Sequence, residues 1–399
     1  MFEDFNPVDK QEWIEKVIQD LKGKSFDALK WEVEEDLVLD PFYTAEDVKH
    51  VFTLPFGRSS NPWKIAESIP LSDGPTGAKK ANLQLITALE GGVESPILEI
   101  DEVLDKKGFQ QLFKGVFPDM ICPQFRGAFT ESQPKALLQL FAQLLKDQQK
   151  NTSEQEVLLH VDPLGFFLEE QDFFEDESTD FNSIMEAVEF AKSTFPKARI
   201  VKVSGHYLHN NQNSLARELA FMLAFASEYM YQLTNRGLSP EVAASSLFFS
   251  LSAGGQFFVE LAKIRALKLL WMAIQRAYGV EVPEEAVIHV VTSSKTQVED
   301  QNTNMISATT EALSAVLGGI HSLDVLPANV RQEAPTAFTR RIARNVQHLM
   351  KSESHLDWVS DPAAGSYYLE NLTTKLAHLA WTKFQKLEAN GGVLAFLKA

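Results

Sequence analysis

Eight short apolar runs alternate with eight helical patterns between residues 63 and 352, and this alternation constrains the fold more than any other feature of the chain. Short buried strands separated by helices must pair in parallel through crossover connections. Eight such units predict an α/β fold of the (β/α)8 TIM-barrel type; a doubly wound open sheet is the alternative, and the count of eight favours closure. The strand-like runs lie at 63–70, 96–100, 120–123, 157–161, 199–203, 247–252, 286–292 and 320–325. The helical patterns lie near 77–89, 107–115, 133–147, 182–194, 214–235, 256–278, 304–318 and 335–352.

The segment before the barrel, 1–62, has a different character. Trp13, Val17 and Leu21 recur at helical spacing, which predicts an amphipathic helix at 8–22. An extended arm with few regular elements should follow, and it is too irregular to bury its own apolar residues. Exposed apolar surface of this kind usually marks a contact with another chain. The arm's apolar residues are Phe42, Tyr43, Val51, Phe52, Leu54 and Phe56.

The segment after the barrel, 353–399, is predicted to be a loop followed by a helix. The pair Gly391-Gly392 is a helix stop signal, and a short apolar helix start follows it.

Charge and composition exclude several kinds of partner. The formal net charge of -17 disfavours nucleic acids and anionic membranes, because both attract clustered Lys and Arg. The acidic amino terminus lacks the apolar core of a secretory signal, and no apolar run reaches the roughly 20 residues that span a bilayer. Cys122 is the single cysteine, and we expect a buried, reduced thiol. These features predict a cytoplasmic protein.

Polar residues follow the fifth strand-like run. His206, Tyr207 and His209 lie between that run and the helix near 214, so we expect them on a strand-to-helix loop at the barrel mouth, where βα loops carry chemistry. The spacing of His206 and His209 suits two metal ligands only on a helix, so no metal site is predicted. The three side chains could instead form a polar cluster that retains a ligand, or simply be loop residues.

Spaced motifs in the correct order resemble those of the cobalamin-dependent methylmalonyl-CoA mutases. The segment from Phe257 to Trp271 is similar to F-F-x-E-I-A-K-F-R-A-A-R-R-L-W, although its apolar stripe is also typical of a core helix. The segment from Asp361 to Tyr368 is similar to D-P-A-G-G-S-Y-Y. Further likeness lies at 13–23 (W-x(6)-D-L-K-G), 40–47 (K-P-L-Y-T-x-x-D) and 341–356 (R-I-A-R-N-T-Q-L and E-S-H-L).

This sequence differs from the catalytic members of the family at the positions where those members contact the substrate. Their S-G-Y-H-M-Q-E-A-G-A loop places Tyr207 at the catalytic His and His206 at the Tyr. The V-D-G-x-x-Y-H-x-A-G-A loop of the small, non-catalytic subunits matches better, with His209 at its His.

Other departures fall on the positions that the family uses for substrate and cofactor. Ser307 stands at an Arg position and Lys295 at a Trp, and the Tyr and Arg residues around Pro62-Trp63 are absent. Glu67, expected near the exit of the first strand, would repel a substrate carboxylate. The D-x-H-x-x-G motif, which holds cobalamin through its His, is not found. At 320–324, Ile320, His321 and Asp324 replace the Thr, Gln and His that would face the cofactor.

The resemblance thus implies the barrel domain of a small mutase subunit, with no catalytic, cofactor-binding or metal residues expected in this chain. Adenosylcobalamin would be held by the large subunit in a heterodimer, and the isolated chain could form a homodimer through residues 1–60. Family members continue into a cobalamin-binding-like domain, so we expect either a fragment or a naturally short form. The alternatives are an active acyl-CoA mutase with its cobalamin domain on another chain, and a cofactor-free barrel enzyme, for which the sequence shows no nucleophile–base pair.

Overall fold

A computed structural model describes residues 8–48, 58–71, 74–211 and 213–398. Eight parallel strands, β3 to β10, close into a barrel in which β10 pairs with both β9 and β3. The predicted (β/α)8 barrel is therefore confirmed. Its strands are β3 (Lys64–Leu71), β4 (Ser95–Ile100), β5 (Gln124–Arg126), β6 (Leu158–Val161), β7 (Arg199–Ser204), β8 (Leu247–Ala253), β9 (Ile288–Thr292) and β10 (Ser322–Asp324).

Helices surround the barrel, and most begin at an Asp, Ser or Thr whose side chain accepts a hydrogen bond from the first turn. Such caps satisfy amide groups that have no partner within the helix. Helices that precede or lie within the first half of the barrel are α1 (Lys10–Asp20), α2 (Gly74–Glu90), α3 (Lys106–Leu112), α4 (Ala128–Ser132), α5 (Pro134–Asp147), α6 (Pro163–Glu170) and α7 (Glu177–Thr194). The others are α8 (His206–Asn211), α9 (Leu215–Asn235), α10 (Pro240–Ser246), α11 (Phe257–Ala277), α12 (Gln301–Leu317), α13 (Ala337–His348), α14 (Tyr367–Ala389) and α15 (Gly392–Leu397).

Side chains alternate along each strand between the helices and the barrel axis, as the strand repeat requires. On β8, Phe249 packs edge-on against Trp271 of α11, with ring centroids 5.3 Å apart. Its neighbour Ser250 points the other way and binds a side chain inside the barrel. The apolar core therefore lies between strands and helices, while the axis itself is largely polar.

The third predicted strand is wrong in position. The apolar run at 120–123 predicts this strand, but Pro118–Met120 is a 3-10 turn and β5 begins at Gln124. The physical reason is that Gln124 and Arg126 are polar residues directed at a polar axis, so apolar patterning does not reveal them.

The expected loop after β7 is also wrong in part, because His206–Asn211 forms the short helix α8. Apart from Leu208, its residues are His, Tyr and Asn, which are weak helix formers. Contacts from His206 to β8 and from His209 to the loop after β9 hold it in place, so tertiary structure overrides local preference.

The amino-terminal segment contains the predicted helix α1 but packs more closely on the barrel than expected. A hairpin of β1 (Trp31–Glu34) and β2 (Leu37–Leu39) follows it. The carboxylate of Glu34 accepts hydrogen bonds from the first two amides of α9 at 2.6 and 3.1 Å. Tyr43 is buried against Tyr368, whereas Phe42 is exposed and contacts Trp13. Val51, Phe52, Leu54 and Phe56 lie outside the described residues.

The carboxyl-terminal segment continues the helical shell. Arg265 of α11 binds Asp361 through two nitrogens at 3.0 Å and Glu370 of α14 at 2.9 Å. The predicted break between helices is present, since Gly391 adopts φ 102° before α15. No helix in the described parts of the chain is long and apolar enough to cross a membrane.

Candidate functional site at the barrel mouth

Helix α8 lies across the mouth, the end of the barrel at which the strands have their carboxyl ends. His206, its first residue, points down into the barrel. Its Nδ1 lies 2.7 Å from Ser252 Oγ and its Nε2 lies 2.7 Å from Ser250 Oγ. Burial, with help from the nearby Lys202 charge, lowers the pKa of His206 well below its ordinary value. A neutral imidazole with both nitrogens engaged therefore closes this side of the mouth.

Tyr207 does not take part in this contact. Its ring is half-buried and packs against the hydrophobic core. The residue aligned with the family's catalytic His therefore lies in the shell, and its neighbour His206 enters the barrel instead.

A polar layer fills the barrel axis beneath α8. The side-chain amide of Gln124 lies 2.7 Å from His160 Nε2, 3.0 Å from Ser95 Oγ and 3.2 Å from Ser322 Oγ. Ser322 Oγ also lies 2.8 Å from His289 Nδ1. We call Gln124, His160, His289, Ser95 and Ser322 the axial layer; each is at most 2 % exposed except Ser322 at 3 %.

The two histidines of the axial layer are uncharged. Burial, followed by the charges of Arg126 and Lys202, lowers the pKa of His289 to about 3. Burial and the neighbouring His289 lower the pKa of His160 well below its ordinary value. A protonated ring here would face those two cations, and in the described part of the chain neither ring contacts a carboxylate.

A charged cluster lies on the opposite side of the mouth from α8. Arg126 pairs with Glu99 and lies 3.3 Å from Ser68 Oγ, which donates to Asp324 at 2.9 Å. Burial raises the pKa of Asp324 to about 6, although Ser68 and Arg126 oppose the shift.

His209, on the last turn of α8, joins a second polar group beside the mouth. Its Nε2 lies 2.9 Å from Ser293 Oγ, and its Nδ1 lies 3.6 Å from Glu218 Oε2. Glu218 is also paired with Lys263 at 3.1 Å. His206 and His209 thus share a helix, the geometry that two metal ligands would need, but they bind different partners. No group of three potential metal ligands occurs within the described residues.

The remaining residues singled out from the sequence lie elsewhere. Ser307 is half-buried within α12. His321 precedes β10 at the amino end of the barrel, where it contacts Arg58 and accepts from the Ile288 amide at 3.1 Å. His321 therefore does not face the mouth, contrary to expectation.

The expectation that Glu67 faces the mouth is wrong. It is buried on the helix side of β3 and pairs with Arg340 and Arg344 of α13. Its charge is compensated there, so it does not repel ligands at the mouth.

A cavity of about 740 Å³ opens at the amino end of the barrel. Its basic side chains are already paired: Lys64 with Glu156 at 2.7 Å and Arg199 with Glu284 at 2.9 Å. Cys122 lines it and is buried, as expected, and burial raises the pKa of its thiol to about 12.

Sequence reasoning missed the axial layer and Ser293. Polar residues within or next to predicted strands, such as His289 and Gln124, are the sequence signal for such a layer, because a buried polar residue needs a hydrogen-bond partner. Which partners meet depends on barrel register, and the sequence does not reveal it.

The family model described as methylmalonyl-CoA mutase matches residues 100–399. The small subunit of methylmalonyl-CoA mutase from Porphyromonas gingivalis is 31% identical over 98% of this chain and 65% of that protein. The small subunit from Streptomyces virginiae is 32% identical over 97% of this chain and 63% of that protein.

The large subunit from Porphyromonas gingivalis is 32% identical over 53% of this chain and 30% of that protein. This chain spans a little under two thirds of the length of the two small subunits. The family match covers most of the barrel, and both small-subunit matches run along nearly the whole chain. The chain therefore belongs to the methylmalonyl-CoA mutase family.

Proposed function

We propose that this chain is a small, non-catalytic mutase subunit that supports a catalytic large subunit. In that complex the large subunit interconverts (R)-methylmalonyl-CoA and succinyl-CoA with adenosylcobalamin. The observation that carries the proposal is the filled axis: His206 binds two serines at the mouth and the axial layer occupies the barrel below it. We infer that these hydrogen-bonded side chains block the path of a substrate from the mouth along the axis, and that the cavity at the amino end, which Ser95 and Ser322 also line, lies below that block.

The residues at the mouth do not fit a cobalamin that needs an axial imidazole. Both ring nitrogens of His206 are hydrogen-bonded, and Nε2 of His209 is bound to Ser293. His160 and His289 lie deeper, in the axial layer. This supports a cofactor held by the partner and not by this chain.

Residues 1–62 are proposed as the main contact with the large subunit. Helix α1 has no buried residue, and exposed apolar side chains lie on α1, on the hairpin that follows and just after it. They include Ile18, Trp31, Val38 and Phe42, each 42 to 47 % exposed. An obligate interface would exceed roughly 2,000 Å². The isolated chain would pair with itself through the same face.

An active mutase barrel with its cobalamin domain on another chain is the alternative. The two are separated by assaying succinyl-CoA formation by the purified chain in the presence of adenosylcobalamin and a separately supplied cobalamin-binding domain, because the proposal expects no product and the alternative expects turnover. A second experiment measures capture of the tagged large subunit, which should bind this chain in a one-to-one ratio. Turnover in the first experiment, or failure to capture the large subunit in the second, would refute the proposal.

A further inference from the structure

We propose that Ser293, His209 and Glu218 form a hydrolytic site beside the mouth, able to transfer the acyl group of an ester to water. The three residues lie on separate elements: the loop after β9, helix α8 and helix α9. The fold brings these three side chains together, and their spacing in the sequence does not predict the contact. The structure thus supplies the nucleophile–base pair that the sequence did not reveal.

The order of contacts is that of a nucleophile, a base and an orienting carboxylate. Ser293 Oγ lies 2.9 Å from His209 Nε2, a normal hydrogen-bond distance. The other ring nitrogen lies 3.6 Å from Glu218 Oε2, which is an ion-pair distance and too long for a hydrogen bond. Such contacts are often loose without substrate and tighten when it binds.

Glu218 is held in its ionised form. Burial acts to raise its pKa, but the Lys263 ammonium and His209 outweigh burial, and the pKa of Glu218 falls below its ordinary value. Lys263 is itself buried and also pairs with Glu260 at 2.7 Å. An ionised Glu218 favours the tautomer that carries its proton on Nδ1, which leaves Nε2 of His209 free to accept the serine proton.

Gly254 places backbone beside His209. A Cβ at Gly254 would lie 3.1 Å from His209 Cε1 and 2.9 Å from Glu260 Oε1, so a side chain there would need its neighbours to shift. We place the developing oxyanion at the amino end of the 21-residue helix α11, next to the exposed Gly255, because the helix dipole favours negative charge there.

A substrate can reach Ser293 only if the loop that carries it moves, and the exposed Lys295 holds that loop. Ser293 is 1 % exposed and the His209 side chain 10 %. Lys295 Nζ binds the His209 carbonyl at 3.4 Å and Asn213 Oδ1 at 2.9 Å, so it ties the serine loop to the region after α8. Exposed contacts of this kind contribute little to stability, so the loop can release them at low cost.

The reaction balances without a cofactor. Ser293 Oγ bonds to the ester carbonyl carbon while its proton passes to His209 Nε2, and the carbonyl electron pair moves to oxygen. The tetrahedral species then expels the alkoxide, which takes the proton from Nε2. Water repeats the sequence on the acyl-serine, releasing the carboxylic acid and restoring Ser293.

The test is labelling of the purified chain with a fluorophosphonate, followed by peptide mapping and by hydrolysis of p-nitrophenyl acetate. We expect covalent labelling at Ser293, abolished in Ser293→Ala and at least tenfold slower in His209→Asn. Ser294→Ala is the matched control and should label normally. Lys295→Ala should label faster, because the exposed tie is removed. Circular dichroism establishes that each variant is folded.

Glu218 is a positioning residue, so Glu218→Gln should move the pH profile of labelling and not merely lower the rate. Labelling at a different serine, no labelling at all, or labelling insensitive to His209→Asn would each overturn the proposal. The assay needs neither large subunit nor cobalamin, so its outcome is independent of the proposed mutase role.

Discussion

Nε2 of His206 lies 2.7 Å from Oγ of Ser250, which places the first residue of α8 inside the barrel. This hydrogen bond joins α8, which lies in the segment that resembles a catalytic loop, to strand β8 of the barrel. The contact gives that loop a structural role.

Gln124 is the centre of the axial layer, so Gln124→Leu should destabilise the barrel by about 1–3 kcal/mol. The substitution leaves Nε2 of His160 buried without its partner, whereas Ser95 keeps its hydrogen bond to the Cys122 carbonyl at 2.7 Å. Urea unfolding monitored by circular dichroism measures the change. The exposed Gln110→Leu is the control and should shift the free energy of unfolding by less than about 0.5 kcal/mol. Equal effects from both substitutions would contradict the account.

Lys263 lies between two buried carboxylates, and Lys263→Met should cost about 3–5 kcal/mol of stability. It would leave Glu218 and Glu260 without their cation in a buried setting. Lys107→Met, at an exposed position, should be nearly neutral. If the Lys263→Met protein unfolded at the same denaturant concentration as the wild type, water and not Lys263 would be stabilising the carboxylates of Glu218 and Glu260.

Arg265 attaches the carboxyl-terminal segment, and Arg265→Lys should loosen it. Lysine cannot reproduce the two-nitrogen contact with Asp361 while also reaching Glu370. We expect faster limited proteolysis between α13 and α14, and a loss of about 2–4 kcal/mol, mainly from breaking a buried charged network. Unchanged cleavage in that region would show that helix packing alone holds the segment.

Acid should destabilise the protein through His289. Its pKa is about 3 when folded and about 6.5 when unfolded, so the unfolded state binds the proton first and stability falls as pH drops below about 6.5. At pH 5 this contributes a loss of roughly 2 kcal/mol. Asp324 acts in the opposite direction between about pH 6 and 4, because burial raises its pKa to about 6 in the folded state.

Comparing variants isolates the histidine from that opposing carboxyl. Denaturant unfolding at pH 7.5 and pH 5 should show a smaller difference for His289→Gln than for the wild type. The exposed His378→Gln should retain the wild-type difference. A wild-type slope in His289→Gln would mean that this ring does not determine the acid response.

The sequence predicts the barrel well because its signals are local. Strand-like runs and helical stripes placed seven of the eight strands, and the failure at 120–123 came from a strand whose Gln124 and Arg126 face a polar axis. The sequence does not predict which side chains contact one another. Nothing local connects Gln124 to His289, or His209 to Ser293, because barrel register sets those distances.

Association through the amino-terminal segment can be tested at Phe42. Phe42→Asp should weaken capture of the large subunit at least tenfold, because it places a charge in the proposed apolar contact. Val282→Asp is the matched control, since Val282 is 82 % exposed and lies away from residues 1–62 in sequence. Capture weakened equally by both variants, or by neither, would move the interface elsewhere.

Succinyl-CoA formation from methylmalonyl-CoA, measured with adenosylcobalamin in excess, tests the central claim most directly. The isolated chain should form no succinyl-CoA, and adding it to the large subunit should restore or raise turnover in proportion to the complex formed. Measurable succinyl-CoA formation by the isolated chain would contradict a filled, non-catalytic barrel.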